Sequence, residues 1–89
     1  MRKIKTTARF DQDYALVVKR GHDIFKLNTL MSLLVKEEAM PAACKDHPLR
    51  GKYKGRRDCH TGPDWTLIYK LEGSAIIFER TGTHSDLFR

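Results

Sequence analysis

Residues 65–83 read Trp65-Thr66-Leu67-Ile68-Tyr69-Lys70-Leu71-Glu72-Gly73-Ser74-Ala75-Ile76-Ile77-Phe78-Glu79-Arg80-Thr81-Gly82-Thr83. Trp65, Leu67, Tyr69 and Leu71 alternate along the first half, so they share one face of a strand, whose period is two. The second half, Ser74 to about Thr83, is rich in β-branched and aromatic residues and reads as a partner strand. Only Glu72-Gly73 separates the two, which predicts a hairpin. Just upstream, Tyr53 to Cys59 or His60 predicts a further strand that turns back at Thr61-Gly62-Pro63-Asp64. Three consecutive strands joined by short turns imply an antiparallel sheet.

The first half of the chain has a different period. Lys3 to Thr6 reads as a short strand. Thr7 is a candidate N-cap for a helix running to about Arg20, with Gly21 as its stop. Phe10, Tyr14, Val17 and Val18 make one apolar stripe on it. A second helix is expected from near Asp23 to about Glu38, with Ile24, Leu27, Met31, Leu34 and Val35 as its stripe and Pro41 beyond its end. The short connection favours an antiparallel helical hairpin. Cys44 to Gly51 reads as a loop in which Pro48 holds His47 extended. The expected fold class is α+β, of order β-α-α-β-β-β, with the N-terminal strand and helical hairpin packed on an antiparallel sheet.

The chain has 89 residues, a hydrophobic fraction of 40% and a net charge of +6 with the histidines neutral. That length predicts a single domain over residues 1–89 with a small core, which a standing protein partner would help. No apolar run approaches the roughly 18–20 residues of a bilayer span, and Met1-Arg2-Lys3-Ile4-Lys5 does not open an apolar signal segment. A cytoplasmic protein is expected. Cys44 and Cys59 fit no metal or redox spacing; a reducing compartment accounts for them, with a bridge between them left open. Walker, Rossmann and GxSxG patterns are absent from the sequence.

The charge is concentrated. Between Lys45 and Arg57 there are six basic residues, Lys45, Arg50, Lys52, Lys54, Arg56 and Arg57, against one acid, Asp46. An anionic partner is expected there. On the strand through this segment Lys54, Arg56, Asp58 and His60 fall on one face by alternation, opposite Tyr53 and Cys59. A face made only of ionisable groups is either a solvated edge or a site. In an antiparallel sheet His60, Asp64 and His84 can gather at one end, and imidazoles can exchange protons near neutrality. Set in a cationic surface, they suit general acid–base chemistry on a phosphodiester. His22 reads as a cap or surface residue, and Trp65 and Tyr69 as core. Phe88 is open between a docking anchor and a base-stacking platform. Zinc on His47, His60, Asp64 and His84 is a conceivable ligand set, but no HExxH or tight paired spacing supports it and the surrounding cations disfavour it.

Lys45-Asp46-His47-Pro48-Leu49, Arg57-Asp58-Cys59-His60, Pro63-Asp64-Trp65-Thr66-Leu67-Ile68-Tyr69-Lys70-Leu71 and Thr81-Gly82-Thr83-His84-Ser85-Asp86-Leu87-Phe88 together resemble the YafQ-type toxins. These belong to the RelE/ParE superfamily of bacterial type II toxin–antitoxin systems. The resemblance implies a RelE-like microbial ribonuclease fold and a ribosome-dependent mRNA endonuclease acting in the A site of the 70S ribosome. A cognate, DinJ-like antitoxin would restrain it, with operator DNA bound only through the antitoxin complex, and no cofactor, metal or membrane. By this resemblance the family's functional positions carry over to His47, Asp58, His60, Asp64, His84 and Phe88, the first five of them catalytic, with Trp65 beside them.

The expected mechanism is attack by the RNA's own 2′-OH. His84 is the expected general acid, Asp64 or His60 the base, and His47 a phosphate ligand or second proton shuttle. Lys52, Lys54, Arg56 and Arg80 would hold RNA backbones, and Phe88 or Trp65 could stack a base. A ParE-like toxin that inhibits DNA gyrase by binding is the alternative from another class, because one fold carries either activity. A passive RNA-binding module would explain the charge but not the histidines.

Overall fold

The computed structural model describes residues 1–88. Its elements are β1 (Lys3–Thr6), α1 (Ala8–Lys19), α2 (Ile24–Val35), β2 (His47–Pro48), β3 (Arg57–Gly62), β4 (Trp65–Glu72), β5 (Ala75–Gly82) and α3 (His84–Leu87), with 3-10 turns at Ala42–Cys44 and Gly51–Tyr53. The helix starts follow the capping chemistry. Thr7 accepts from the backbone N–H of Phe10 at 3.0 Å, and Asp23 from that of Phe25 at 3.1 Å. Gly21, at φ +80°, ends α1, a conformation that costs glycine little. Helix α2 stops at Val35, short of Glu38, because Glu37 turns left-handed at φ 60°.

The sheet order is β1-β5-β4-β3-β2. The β3–β4 and β4–β5 pairs are antiparallel hairpins as expected. The sheet as a whole is mixed, however, since β1 lies parallel to β5, Lys3 opposite Ala75 and Thr6 opposite Phe78. This corrects the expected all-antiparallel sheet with the N-terminal strand packed on it. Turn chemistry fixes hairpins, but β1 and β5 are joined by most of the chain and no turn constrains their direction.

Strand β3 also begins later than expected. Gly51–Tyr53 is a 3-10 turn and Gly55, at φ +86°, breaks any extended run. Lys54 and Arg56 therefore do not share a strand face with Asp58 and His60. Tyr53 is likewise not on the Cys59 side; its hydroxyl donates to the Leu87 carbonyl at 2.9 Å.

Alternation gives the sheet two unlike faces. Cys59, Trp65, Leu67, Tyr69, Ile76 and Phe78 pack against α1 and α2 in the main core. Within α1 the buried stripe is Phe10, Asp13 and Val17, while Val18 is half exposed. Asp13 displaces Val18 because the sheet supplies it with partners: Arg80 Nε donates at 2.6 Å and the Thr81 N–H at 3.2 Å. The opposite face carries a smaller cluster of Tyr53, Ile68 and Leu87 with Leu49 and Phe88, roofed by α3. Among the described residues no helix is long and apolar enough to cross a membrane.

Candidate active site

The candidate site lies on the face away from α1 and α2, where Asp58 and His60 of β3 and Thr66 of β4 point. Asp58 is buried, and Thr66 Oγ1 donates to its Oδ1. Its Oδ2 faces His47 Nε2 at 3.7 Å, because β2 pairs with β3 so that His47 sits directly opposite Asp58. His47 Nδ1 lies 2.6 Å from the Lys45 carbonyl, which can only accept, so Nδ1 carries the proton and Nε2 is the atom left free. The His60 ring is 5.9 Å from that of His47, centroid to centroid.

His84 arrives at the same end of the sheet, since His60 pairs with Thr66 and Thr66 with Gly82. Gly82 ends β5, Thr83 caps α3 with a reciprocal Thr83–Asp86 capping box, and His84 is the first helical residue. Its backbone N–H donates to Asp64 Oδ1 at 2.9 Å, and Asp64 holds a left-handed turn at φ 49°. The His84 ring lies 4.7 Å from that of Phe88, which in turn meets Tyr53 edge-on at 5.5 Å. Asp86, two residues on, is gripped by Arg20 at 2.8 Å. That ion pair, with the Thr83 N–H, holds the Asp86 carboxyl down at about 2.

Asp58, His60, Asp64 and His84 thus line one cleft of about 120 Å³, together with Trp65 and Thr66. His47 stands at its edge, its donor atom within 4.8 Å of those of Asp58 and His60. The structure brings all five residues together. Four of them, His47, His60, Asp64 and His84, are exposed, so a phosphodiester can reach their ring or carboxylate atoms. Lys52, Lys54 and Arg50 are exposed, Lys52 with its ammonium 5.3 Å from the Tyr53 ring centroid.

Two expectations fail on geometry. Arg80 is largely buried in its ion pair with Asp13, which raises its guanidinium's already high pKa, so it props α1 on the sheet and has no charge free for RNA. Trp65 is 4% exposed, its Nε1 donating to Thr81 Oγ1 at 3.0 Å and His22 packed edge-on against it at 4.8 Å. It cannot stack a base. His22 is correspondingly a packing residue rather than a surface cap. Arg56 is partly engaged, donating to Glu79 at 3.0 Å. Sequence reasoning missed Thr66, which no local pattern marks, and the Asp46 clamp. Asp46 Oδ1 accepts from Tyr69 Oη at 2.7 Å and Arg57 Nε at 3.1 Å, and so anchors the loop that carries His47.

The donor set His47, Asp58 and His60 has the chemistry of a zinc or copper site. It differs from the set expected from sequence, with Asp58 in place of Asp64 and His84. Its 4.8 Å spread exceeds the roughly 3.4 Å between ligands of a tetrahedral zinc at ~2.05 Å, so the side chains would have to close to hold an ion.

Residues 2–89 match the family model described as the bacterial toxin of type II toxin–antitoxin system, YafQ. The chain belongs to the YafQ family. It is 49% identical over 88 residues to the mRNA interferase toxin YafQ of Escherichia coli K12, covering 98% of this chain and 96% of that protein. The toxin in the crystal structure of the E. coli DinJ–YafQ complex superposes with a TM-score of 0.92 at 48% identity, covering each chain completely. A metal-bound toxin from Helicobacter pylori superposes at 0.91 with 37% identity, covering 99% of this chain and all of the other. The mixed sheet with α1 and α2 on one face is therefore the YafQ fold.

Proposed function

We propose that this YafQ-family chain is an endoribonuclease that cuts translated mRNA in the ribosomal A site, with the 2′-OH of the RNA as nucleophile and a DinJ-like antitoxin as its restraint. The observation that carries this reading is the convergence of Asp58, His60, Asp64 and His84 on one cleft with His47 beside them. Three imidazoles and two carboxylates are more proton-transfer groups than a passive binding surface uses. Identity with an mRNA interferase over nearly the whole chain supports the same substrate class.

The roles follow from what each group already holds. Asp58, buried and bonded by Thr66, lies 3.7 Å from His47 Nε2 and attracts the His47 imidazolium. Asp64 spends one oxygen on the start of α3 and so fixes His84. His60 has an exposed ring and is the general base: it takes the 2′-OH proton as O2′ attacks the adjacent phosphorus. The P–O5′ bond breaks as His84, the general acid, gives its proton to O5′. The products are a 2′,3′-cyclic phosphate and a 5′-hydroxyl. His47 as the imidazolium, with Nδ1 bonded to the Lys45 carbonyl, donates from Nε2 to a non-bridging phosphate oxygen. Each proton transfer is worth about 10²–10⁴ in rate. No step needs the ion that His47, Asp58 and His60 could hold.

The test is cleavage on programmed ribosomes with mapped mRNA ends. Cuts at codon-defined positions that persist in a zinc- and copper-selective chelator and fall by at least 10² in His84→Ala are expected. Intact mRNA would overturn the nuclease, gyrase poisoning in its place would establish the ParE-like alternative, and loss of cutting with a zinc- and copper-selective chelator in excess Mg²⁺ would overturn the metal-free mechanism.

A further inference from the structure

Next to the catalytic cleft, on the far side of His60, is a second cavity of about 330 Å³ between the first turn of α2 and the end of β3. Its volume lies at the small end of ligand pockets, which run to about 300–1,000 Å³. Leu30, Ala43 and Cys44 give it an apolar wall, and His60 is common to it and the catalytic cleft.

Three features mark it as built for a ligand. The first is Thr61. It is 7% exposed, and its Oγ1 is buried without a hydrogen-bond partner among the described residues. An unpaired buried hydroxyl costs free energy, and the residue that carries it lines the cavity. The second is a β-bulge. The β3–β4 register runs His60 opposite Thr66 and then Gly62 opposite Trp65, which leaves Thr61 as the extra residue, and bulges re-aim side chains beside active sites. The third is Phe25, an aromatic ring left 78% exposed at the rim.

We infer that this cavity is a nucleobase subsite, receiving a base of the RNA strand next to the bond cut between His60 and His84. The inference rests on the nuclease reading above. A flat heteroaromatic ring satisfies what the lining offers: Phe25 stacks it, the apolar wall covers its other face, and the Thr61 hydroxyl, once its side chain turns outward, bonds its polar edge. Asp23 on the wall repels a phosphate but accepts from a base amino group. Lys26, also on the lining, reaches the phosphate that leads the strand back to His60. The subsite makes Phe25 and Thr61 specificity-determining residues that play no part in proton transfer.

The experiment has two arms. In the first, ¹⁵N-labelled protein is titrated with the four nucleoside 5′-monophosphates and with ribose 5-phosphate. Saturable shifts at the amides of Phe25, Lys26, Thr61 and Gly62 are expected with nucleotides, strongest for one base, and with the sugar phosphate at Lys26 alone. Phe25→Ala should weaken that binding by about 5- to 100-fold, the usual loss when a stacking ring is removed. In the second arm, Thr61→Val and Phe25→Ala are assayed on programmed ribosomes. A raised KM and a broadened choice of cut codons are expected, with kcat retained and melting unchanged or raised for Thr61→Val.

Shifts at Phe25, Thr61 and Gly62 that ribose 5-phosphate reproduces, or no shifts at these amides with any nucleotide, would overturn the subsite. Wild-type cut positions in both variants would do the same, as would variants that lose affinity only for the antitoxin, which would make the groove a protein contact. Intact mRNA with the wild-type protein would overturn the nuclease reading, while the nucleotide titration still decides the pocket.

Discussion

Asp46→Ala is the most informative single change, because it acts on His47 without touching it. Strand β2 is two residues long and pairs only with β3, so backbone hydrogen bonds alone hold His47 weakly. The neighbouring residue does the anchoring: Tyr69 and Arg57 both donate to Asp46 Oδ1, and Arg57 reaches the Asp46 carbonyl at 3.4 Å. Burial and the adjacent Asp46 charge push the Tyr69 phenol well above its ordinary pKa, so its hydroxyl remains a donor at any working pH. Tyr69 is 1% exposed, and losing its acceptor leaves a buried hydroxyl unpaired, a cost of about 1–3 kcal/mol. Arg57 is 36% exposed in its side chain and recovers water, which adds less than about 1 kcal/mol. The total, about 1–4 kcal/mol, corresponds to a fall in Tm of roughly 4–30 °C for a domain of this size. His47 is then free to leave its 3.7 Å approach to Asp58, and a displacement near 1 Å costs about 10² in rate. Asp46→Asn keeps an acceptor for Tyr69 and should recover most of both losses. The assay is thermal melting alongside single-turnover cleavage of ribosome-bound mRNA at a temperature where both variants are folded. A folded Asp46→Ala protein that cuts at the parental rate would refute the clamp.

Other outcomes follow from the same geometry. Asp13→Ala strands Arg80 in the core and should cost about 3–5 kcal/mol, read as a lower urea midpoint, whereas an Asp13→Leu, Arg80→Met double variant should recover stability. Asp86 has its pKa lowered to about 2, so its contribution is complete above the ordinary carboxylate value near 4 and is lost as pH falls through about 2. An NMR titration should find that low midpoint, and Arg20→Ala should move it back toward 4. Affinity for single-stranded RNA should fall linearly in log K against log salt, and Lys52→Ala or Lys54→Ala should each reduce the slope by about 0.7; Arg80→Lys should leave it unchanged.

The sequence by itself determined what depends on neighbours in the chain. Alternation from Trp65 to Leu71 and the Glu72-Gly73 turn specified the β4–β5 hairpin, Thr7 and Asp23 specified the helix starts, and the crowding of cations after Lys45 marked the basic side. It also supplied the identities of the five polar residues in the cleft, through four short motifs whose order is that of the family. Tertiary structure alone decided the rest. The parallel seat of β1 beside β5, the burial of Asp13 under Arg80, the burial of Trp65 against His22, and the bulge that turns Thr61 into a cavity all come from segments far apart in the chain. Periodicity reports only which side of an element is apolar. Which partner meets that side, and whether a charge there finds its counter-charge, is fixed when the sheet closes.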